Sequence, residues 1–349
     1  MHQSQISVAV LVLNWNGKEL LPTFLPSWLE HTPDWAELIV VDNGSIDGSV
    51  AYLRMNYPEV RIIELGDNYG FSEGYNRAVE QISHDVVVLL NSDVALSANW
   101  LTEPMELLGS DERIAAVQPK IRSYREPECF EYAGAAGGYL DRLGYPFCRG
   151  RIFDEIERDR GQYDSRADLF WASGACLIVR RKVYLEVGGL DTGFFAHQEE
   201  IDLSWRVLSR GYRIVLAPRS VVYHLGGGSL AMNSPRKTYL NFRNNLLMLY
   251  KNLPGTALLS VQLQRLVLDM GAALRFALKG RYSHAWAVFR AYGAYLRMLP
   301  SMYTTRTENI TKMTIHLPRE LKSYSLVYRY YLRGQRTYTS LETQEELCE

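Results

Sequence analysis

Cysteine is scarce and scattered: Cys129, Cys148, Cys176 and Cys348 are the four in 349 residues, and none stand in C-x-x-C spacing. That excludes a disulfide framework and argues against a structural zinc site, so a reducing compartment is the expectation. No uninterrupted apolar run reaches the roughly 18 residues expected of a spanning helix. The start, "MHQSQISVAVLVLN", lacks a basic n-region ahead of a long apolar stretch and cleavage site, so no signal peptide is read. The turn after the first apolar run, "NWNGKE", holds the single glycine Gly17 and no G-x-G-x-x-G. A nicotinamide or flavin fold would place that motif there to seat a pyrophosphate. A Walker loop is missing as well, and no nucleic-acid motif accompanies the charge. A cytoplasmic location is expected.

What is present is a globular composition with an uneven distribution of charge. Hydrophobic residues make up 47%, and 38 basic residues face 39 acidic ones, which excludes a disordered chain. Residues 231–300 carry ten Lys/Arg against one acid, Asp269, whereas residues 1–230 carry 21 basic and 32 acidic residues. That split implies two tasks.

"SVAVLVLNWNG" (7–17) is a β-branched run ended by a polar turn, as in a strand buried on both faces. "AELIVVDNGSIDGS" (36–49) repeats the plan, and "VRIIELGDN" (60–68) and "DVVVLLNSDV" (85–94) read as further strands. Helices are expected over 18–31, 48–56 and 71–83. The alternation predicts an α/β fold with a Rossmann-like, mostly parallel sheet and flanking helices. Such sheets bind ligands beyond the carboxyl ends of their strands. The polar clusters fall there: Asn14 and Asn16, Asp42 and Asn43, Asp67 and Asn68, then Asn91, Ser92 and Asp93. Residues 118–168 read as loops and short strands beside the site, 169–191 as strand then helix, and 199–210 as helix. Residues 212–229 read as a strand, a turn at Pro218 and a second short strand. Near Asn233–Pro235 the period changes to 3.6, with helices over 237–252, 256–279 and 282–299. The expected division is a catalytic domain at 1–232 and a helical C-terminal region at 233–349.

Carboxylates and amides at strand ends suit the base and ribose of a nucleoside. Asp93, directly after a buried strand, suits a hard cation bridging a diphosphate. A second acidic group lies in "FFAHQEEIDLSWR" (194–206), where Glu199, Glu200 and Asp202 fall within four positions. Acids in a first helical turn oppose the macrodipole, and Asp202 with Arg206 forms an i,i+4 pair; each effect is worth a few tenths to about 1 kcal/mol. With Ile201, Trp205 and Leu208 as the buried stripe, this accounts for Asp202 and Arg206 but less well for two adjacent glutamates. Trp171 and Phe194–Phe195 are candidates for a sugar-stacking wall or for the core.

"VLVLNWNG", "IVVDNGSIDGS", "DNYGFSEGYN", "LLNSDV", "SGACLIVRRKVYLEVGGLD", "EEIDLSWR" and "VVYHLGGGS" occur in this order. The series resembles the family-2 glycosyltransferases of GT-A fold, in their bacterial rhamnosyltransferase-like branch, over roughly residues 6–250. The resemblance implies inverting transfer of a sugar, rhamnose at the level of the branch, from a nucleoside-diphosphate donor to an acceptor hydroxyl, assisted by Mg²⁺ or Mn²⁺. It places Asn14, Asp42, Asn68 and Gly70 at the nucleoside, with Asn76 supporting that turn. Asn91-Ser92-Asp93 stands where the family has D-x-D, which makes Asp93 the expected metal ligand. His224 is then a further metal or diphosphate contact, and Gly226–Gly228 a backbone approach to the diphosphate. The base position falls on Glu200, where Asp is usual, and the choice between Glu199 and Glu200 stays open.

The basic helical segment mixes Leu, Phe, Trp and Tyr with Arg and Lys, which reads either as a membrane-surface element or as a packing subdomain. The resemblance favours the first, since related transferases act on glycan or lipid-linked acceptors at the inner face of a membrane. Peripheral attachment to anionic lipid is therefore expected. Two rivals remain: a sugar-1-phosphate nucleotidyltransferase, which would want a Gly-rich basic loop where "NWNGKE" stands, and a catalytically silent scaffold.

Overall fold

The computed structural model describes residues 6–226 and 234–345. The four apolar runs become parallel strands: β1 (Val8–Asn14), β2 (Ala36–Asp42), β3 (Arg61–Glu64) and β4 (Val86–Asn91). Helices α1 (Leu21–His31), α2 (Ser49–Asn56) and α3 (Gly70–Glu80) alternate with them. β1 is hydrogen-bonded on both edges, by β2 and β4, and covered on both faces, with Val8, Val10 and Val12 buried on one and Ala9 and Leu11 on the other. Register sets the polar ends level: Asn14 pairs with Asp42, and Leu13 with Asn91.

Beyond β4 the chain adds β5 (Val94–Leu96), α4 (Thr102–Ser110), β6 (Ile114–Ser123), β7 (Gly138–Asp141), β8 (Pro146–Cys148), β9 (Arg151–Ile152) and β10 (Glu155–Ile156). It continues with β11 (Cys176–Arg180), α5 (Arg181–Glu186), α6 (Glu199–Ser209) and β12 (Arg213–His224). The main sheet runs β3-β2-β1-β4-β11-β6-β12-β5. It is mostly parallel; β11 runs antiparallel to both neighbours, and β5 antiparallel to β12. Its two faces carry separate apolar clusters, one around Leu11, Val41 and Leu89 and one around Val10, Val40 and Val88.

Several expected boundaries shift. The run at 85–94 is two strands, because Ser92–Asp93 turns the chain so that β5 pairs with β12 instead. Residues 212–229 are one strand to His224, and Pro218 is absorbed by a register shift between Ala217 and Val221. β6 runs into the segment expected as loops and short strands from residue 118, and its buried Gln118 and Lys120 obscured the long strand there. Lys120 is held by Asp159 and Asp164, and Gln118 by Gly134 and Ser173.

The C-terminal part contains α7 (Pro235–Asn252), α8 (Gly255–Leu278) and α9 (Tyr282–Thr311), followed by β13 (Leu321–Lys322), α10 (Leu326–Arg333) and α11 (Tyr338–Glu345). α9 continues twelve residues beyond the expected end, through Pro300, which is exposed. β13 adds an edge to a second sheet of order β10-β9-β8-β7-β13, so this part is not purely helical. The expected boundary at Asn233 lies outside the described residues.

α7 is fixed to α6 through charge. Asp202, fully buried, pairs with Arg206 at 2.9 Å as expected, and also with Lys251 of α7 at 2.8 Å. Asn252 donates a third bond to it at 2.8 Å. Arg206 in turn donates to the carbonyls of Val187 and Gly189. Burial would raise the Asp202 carboxyl, yet these cations hold it below its ordinary value. Asp202→Ala leaves two buried cations short of a partner and should cost about 3–5 kcal/mol. Urea unfolding followed by circular dichroism checks this, and a loss under about 1 kcal/mol would mean that the pair is screened like a surface ion pair.

Candidate active site

The first constellation, where the nucleoside is expected, forms at the tips of β1 and β2. Asn14 donates from Nδ2 to Asp42 Oδ1 and Ser45 Oγ, both at 3.2 Å, while its Oδ1 is buried without a partner. The other Asp42 oxygen accepts the Ser45 N–H at 3.0 Å. Asn43 connects the turn after β2 to the "DNYG" turn. It donates to Asn68 Oδ1 at 3.2 Å and the Gly70 carbonyl at 3.0 Å, and it accepts the Tyr69 N–H at 3.0 Å. At Gly44 (φ +73°) a Cβ would fall 2.5 Å from the Asp67 carbonyl carbon, so only glycine lets the two turns meet. Asn14, Asp42, Asn68 and Gly70 thus share one constellation. Asn76 is placed elsewhere: its amide bonds both backbone groups of Leu190 and the Tyr184 hydroxyl, tying α3 to the loop after α5.

The second constellation sits at the ends of β4 and β12. Asn91 donates its N–H to the Ala175 carbonyl at 3.0 Å. Asp93 and His224, both buried, meet at 3.1 Å through His224 Nε2. On the other side of the ring, Nδ1 lies 3.3 Å from Glu131, an ion-pair contact off the hydrogen-bond direction. Burial alone would depress the imidazole; the contacts with Asp93 and Glu131 outweigh it and raise His224 to about 10. Gly226 is close by, and a Cβ there would meet Glu131 Oε1 at 2.9 Å. Gly227 and Gly228 lie outside the described residues.

Among the described residues no three His, Cys, Asp or Glu side chains converge as a ready-made metal cage. Asp93 supplies a hard carboxylate that suits Mg²⁺ or Mn²⁺, and His224, whose proton the two acids hold in the metal-free site, would add an imidazole donor suited to Mn²⁺ only as that proton leaves. The donor set fits a cation that takes its remaining ligands from water or a diphosphate.

The third constellation is the entry to α6. Phe195, His197 and Gln198 all have positive φ, a run of strained non-glycine residues of the kind that persists only when neighbours impose it. The neighbours are on α7. Asn244 donates to the carbonyls of Phe194, Ala196 and His197 at 2.8–2.9 Å, and Arg243 to those of Gly193 and Phe194. The loop delivers Glu199 and Glu200 at the first turn of α6. Glu199 is buried, and its Oε2 has no hydrogen-bond partner. Burial, reinforced by the charge of Glu200, pushes its carboxyl well up. Glu200 is half-buried beside Gly174, and burial pushes it up to about 7. His197 Nε2 is buried without a partner; burial and the charge of Lys237 lower it to about 4, which leaves it neutral near pH 7.

Trp171 and Phe194 belong to the core, and Trp171 donates to the Tyr139 carbonyl. Phe195 is exposed. Sequence reasoning assigned no role to three residues of this region. Glu131 lies in a stretch with no pattern of its own. Asn43 carried a signal as the neighbour of Asp42 at a strand end. Lys237 opens α7, and its ammonium interacts with Glu131 and lies over the Tyr132 ring.

The mostly parallel sheet of this order, with acids and amides at the strand tips and an acidic helix start beside them, has the GT-A fold of the glycosyltransferase structures on which it superposes. The profile of glycosyl transferase family 2 matches residues 7–188, and the chain belongs to that family. An N-acetylglucosaminyl-diphospho-decaprenol L-rhamnosyltransferase of Mycobacterium tuberculosis is 28% identical over 233 residues, 62% of this chain and 75% of that protein. Staphylococcus aureus TarS 1–349 in complex with UDP-GlcNAc superposes with a TM-score of 0.56 at 14% identity, covering 95% of this chain and 93% of that one. The mannosyltransferase PcManGT of Pyrobaculum calidifontis, in complex with GDP-Man and Mn²⁺, gives 0.52 at 14% identity, over 83% and 86%.

Proposed function

We propose that this transferase moves a sugar of the rhamnose type, with inversion, from a nucleoside diphosphate to a hydroxyl of a lipid-linked glycan acceptor in cell-surface glycan synthesis. The observation that carries the reading is the closeness of two unlike acids. Asn91 donates to the Ala175 carbonyl, and a Cβ on the preceding Gly174 would stand 3.7 Å from that of Glu200, so the Asp93 turn and Glu200 flank the same short segment, Gly174–Ala175. One acid is in contact with a histidine and suits a cation; the other is a raised carboxyl suited to proton transfer.

In this reading Asn14, Asp42, Asn68 and Gly70 hold the nucleoside, with Asn43 fixing their geometry. Asp93 and His224 hold Mg²⁺ or Mn²⁺, with Asn91 setting the turn that carries Asp93. Held there, the cation would supply positive charge against that of the departing diphosphate. Glu200 is the base and Glu199 its buried neighbour. Glu200 takes the proton of the acceptor hydroxyl as that oxygen attacks the anomeric carbon. The bond to the diphosphate oxygen breaks on the opposite face and its electron pair leaves with the diphosphate, which inverts the anomeric centre. The rhamnosyltransferase relative supports both the sugar class and the lipid-linked acceptor.

The acceptor's lipid also implies a surface. α8 is long and apolar enough to cross a membrane by length and composition, but its Arg265 and Asp269 are buried in a network with Leu143, Tyr145 and Tyr292. That network fixes it on the body of the protein. Its outer face, Leu259, Leu263, Leu266, Val267, Leu274 and Leu278, is exposed, as are Tyr282, Trp286, Phe289 and Leu296 along one face of α9. Exposed Arg275, Lys279, Arg281, Arg290 and Arg297 accompany these faces. Apolar stripes flanked by cations suit an anionic bilayer surface, so the chain attaches peripherally at the inner face of the membrane.

The raised Glu200 carboxyl is protonated, and useless as a base, below its pKa. Transfer measured as kcat/KM should therefore rise with pH to a plateau, with a single-proton limb near 7. Glu200→Gln should lower kcat by about 10²–10⁴ with donor binding retained, and near wild-type turnover would contradict the assignment. Flotation with phosphatidylglycerol vesicles should recover the protein at low salt and release it at about 1 M salt, where the Debye length is about 3 Å. Absence from the floated fraction at low salt would contradict the surface reading.

A further inference from the structure

The transfer step leaves a strongly basic pocket unused. It has a volume of about 480 Å³ and lies between the start of α7, the start of α9 and the α6 entry loop. Its walls include Phe195, Arg236, Tyr239, Arg243, Trp286 and Arg290. Arg236 stands over the Phe195 ring at 4.9 Å, and Arg243 and Arg290 stand over Tyr239 at 5.4 and 5.3 Å. Three guanidinium groups thus gather on two rings. Among the described residues none of the three is ion-paired to a carboxylate, and Asp269, the one acid of residues 231–300, is buried and held by Arg265. Arg243 already donates to the carbonyls of Gly193 and Phe194, but like charges collected in this way stay poorly compensated until an anion arrives, and the planar guanidinium fork matches phosphate oxygens.

Two further features narrow the anion. Trp286 is both a wall of this pocket and a member of the exposed apolar face of α9, so hydrocarbon can continue directly from the pocket mouth. Phe195 precedes Glu200 by five residues, which bounds their separation at roughly 17 Å of extended chain. The ligand that fits is an amphiphile with a multiply charged phosphate head, a lipid tail on one side and a sugar reaching toward the base on the other. We propose that this pocket binds the diphosphate of the lipid-linked acceptor and that its tail runs along α9. The proposal rests on the lipid-linked acceptor reading and adds the subsite that selects a diphosphate head.

A phospholipid headgroup offers similar chemistry, so the test separates the two sources. Farnesyl diphosphate is titrated calorimetrically into the full chain in EDTA, which removes metal-assisted binding at the donor site. Wild type should bind it at least about tenfold more tightly than the Arg236→Gln/Arg290→Gln variant, the scale expected for lost charge-assisted contacts. Arg275→Gln/Lys279→Gln, which removes two exposed charges outside the pocket, should leave the affinity unchanged. Monomeric dihexanoyl phosphatidylglycerol should bind wild type at least about tenfold more weakly than the diphosphate. No binding by wild type, equal loss in both double variants, or equal affinity for the two lipids would overturn the proposal. Nucleotide binding with Mn²⁺ in the same samples reports on the transferase reading alone, so the two can fail separately.

Discussion

The buried carboxylate of Asp202 is the contact on which the rest of the site depends. It is compensated from two directions, by Arg206 one turn along α6 and by Lys251 and Asn252 on α7. Lys251 also reaches Asp191, and Arg206 reaches the carbonyls that follow α5. One charge therefore sets α6 against both the sheet domain and the C-terminal helices. Because α6 is fixed, the strained residues ahead of it can be held by Asn244 and Arg243, and Glu199 and Glu200 emerge at a defined place.

The same few angstroms of helix hold acids in opposite states. Asp202 is buried among cations and held low; Glu199, buried, and Glu200, half-buried, have no cation beside them and are held high. Environment, not residue type, divides three neighbouring acids into a structural anion and a pair able to hold a proton near neutral pH. Asp93 shows a third arrangement, facing a histidine that is shared with Glu131. Asp202, Glu199 and Asp93 are all buried and their compensating partners differ, so the partners decide the chemistry.

Much of this was legible in the sequence. The β-branched runs gave β1, β2 and β4, and their polar ends gave the grouping of Asn14 with Asp42, because parallel register brings strand tips level. The i,i+4 spacing gave Asp202–Arg206. What the spacing could not show were partners distant in the chain: Lys251 on α7, Glu131 beside His224, and Asn244 beneath the loop. β6 escaped because its polar residues are buried and paired at a distance, which defeats any reading by alternation. Asn76 read as a support for the "DNYG" turn, but its amide bonds the loop after α5, a contact 114 residues away.

The central claim is that the fold raises the carboxyl of Glu200 so that it can accept a proton near neutral pH. Carbon-13 NMR titration of glutamate-labelled protein, with Glu200→Gln identifying the resonance, measures this directly. The account predicts a midpoint near 7. A midpoint near the ordinary glutamate value of about 4.3 would contradict it.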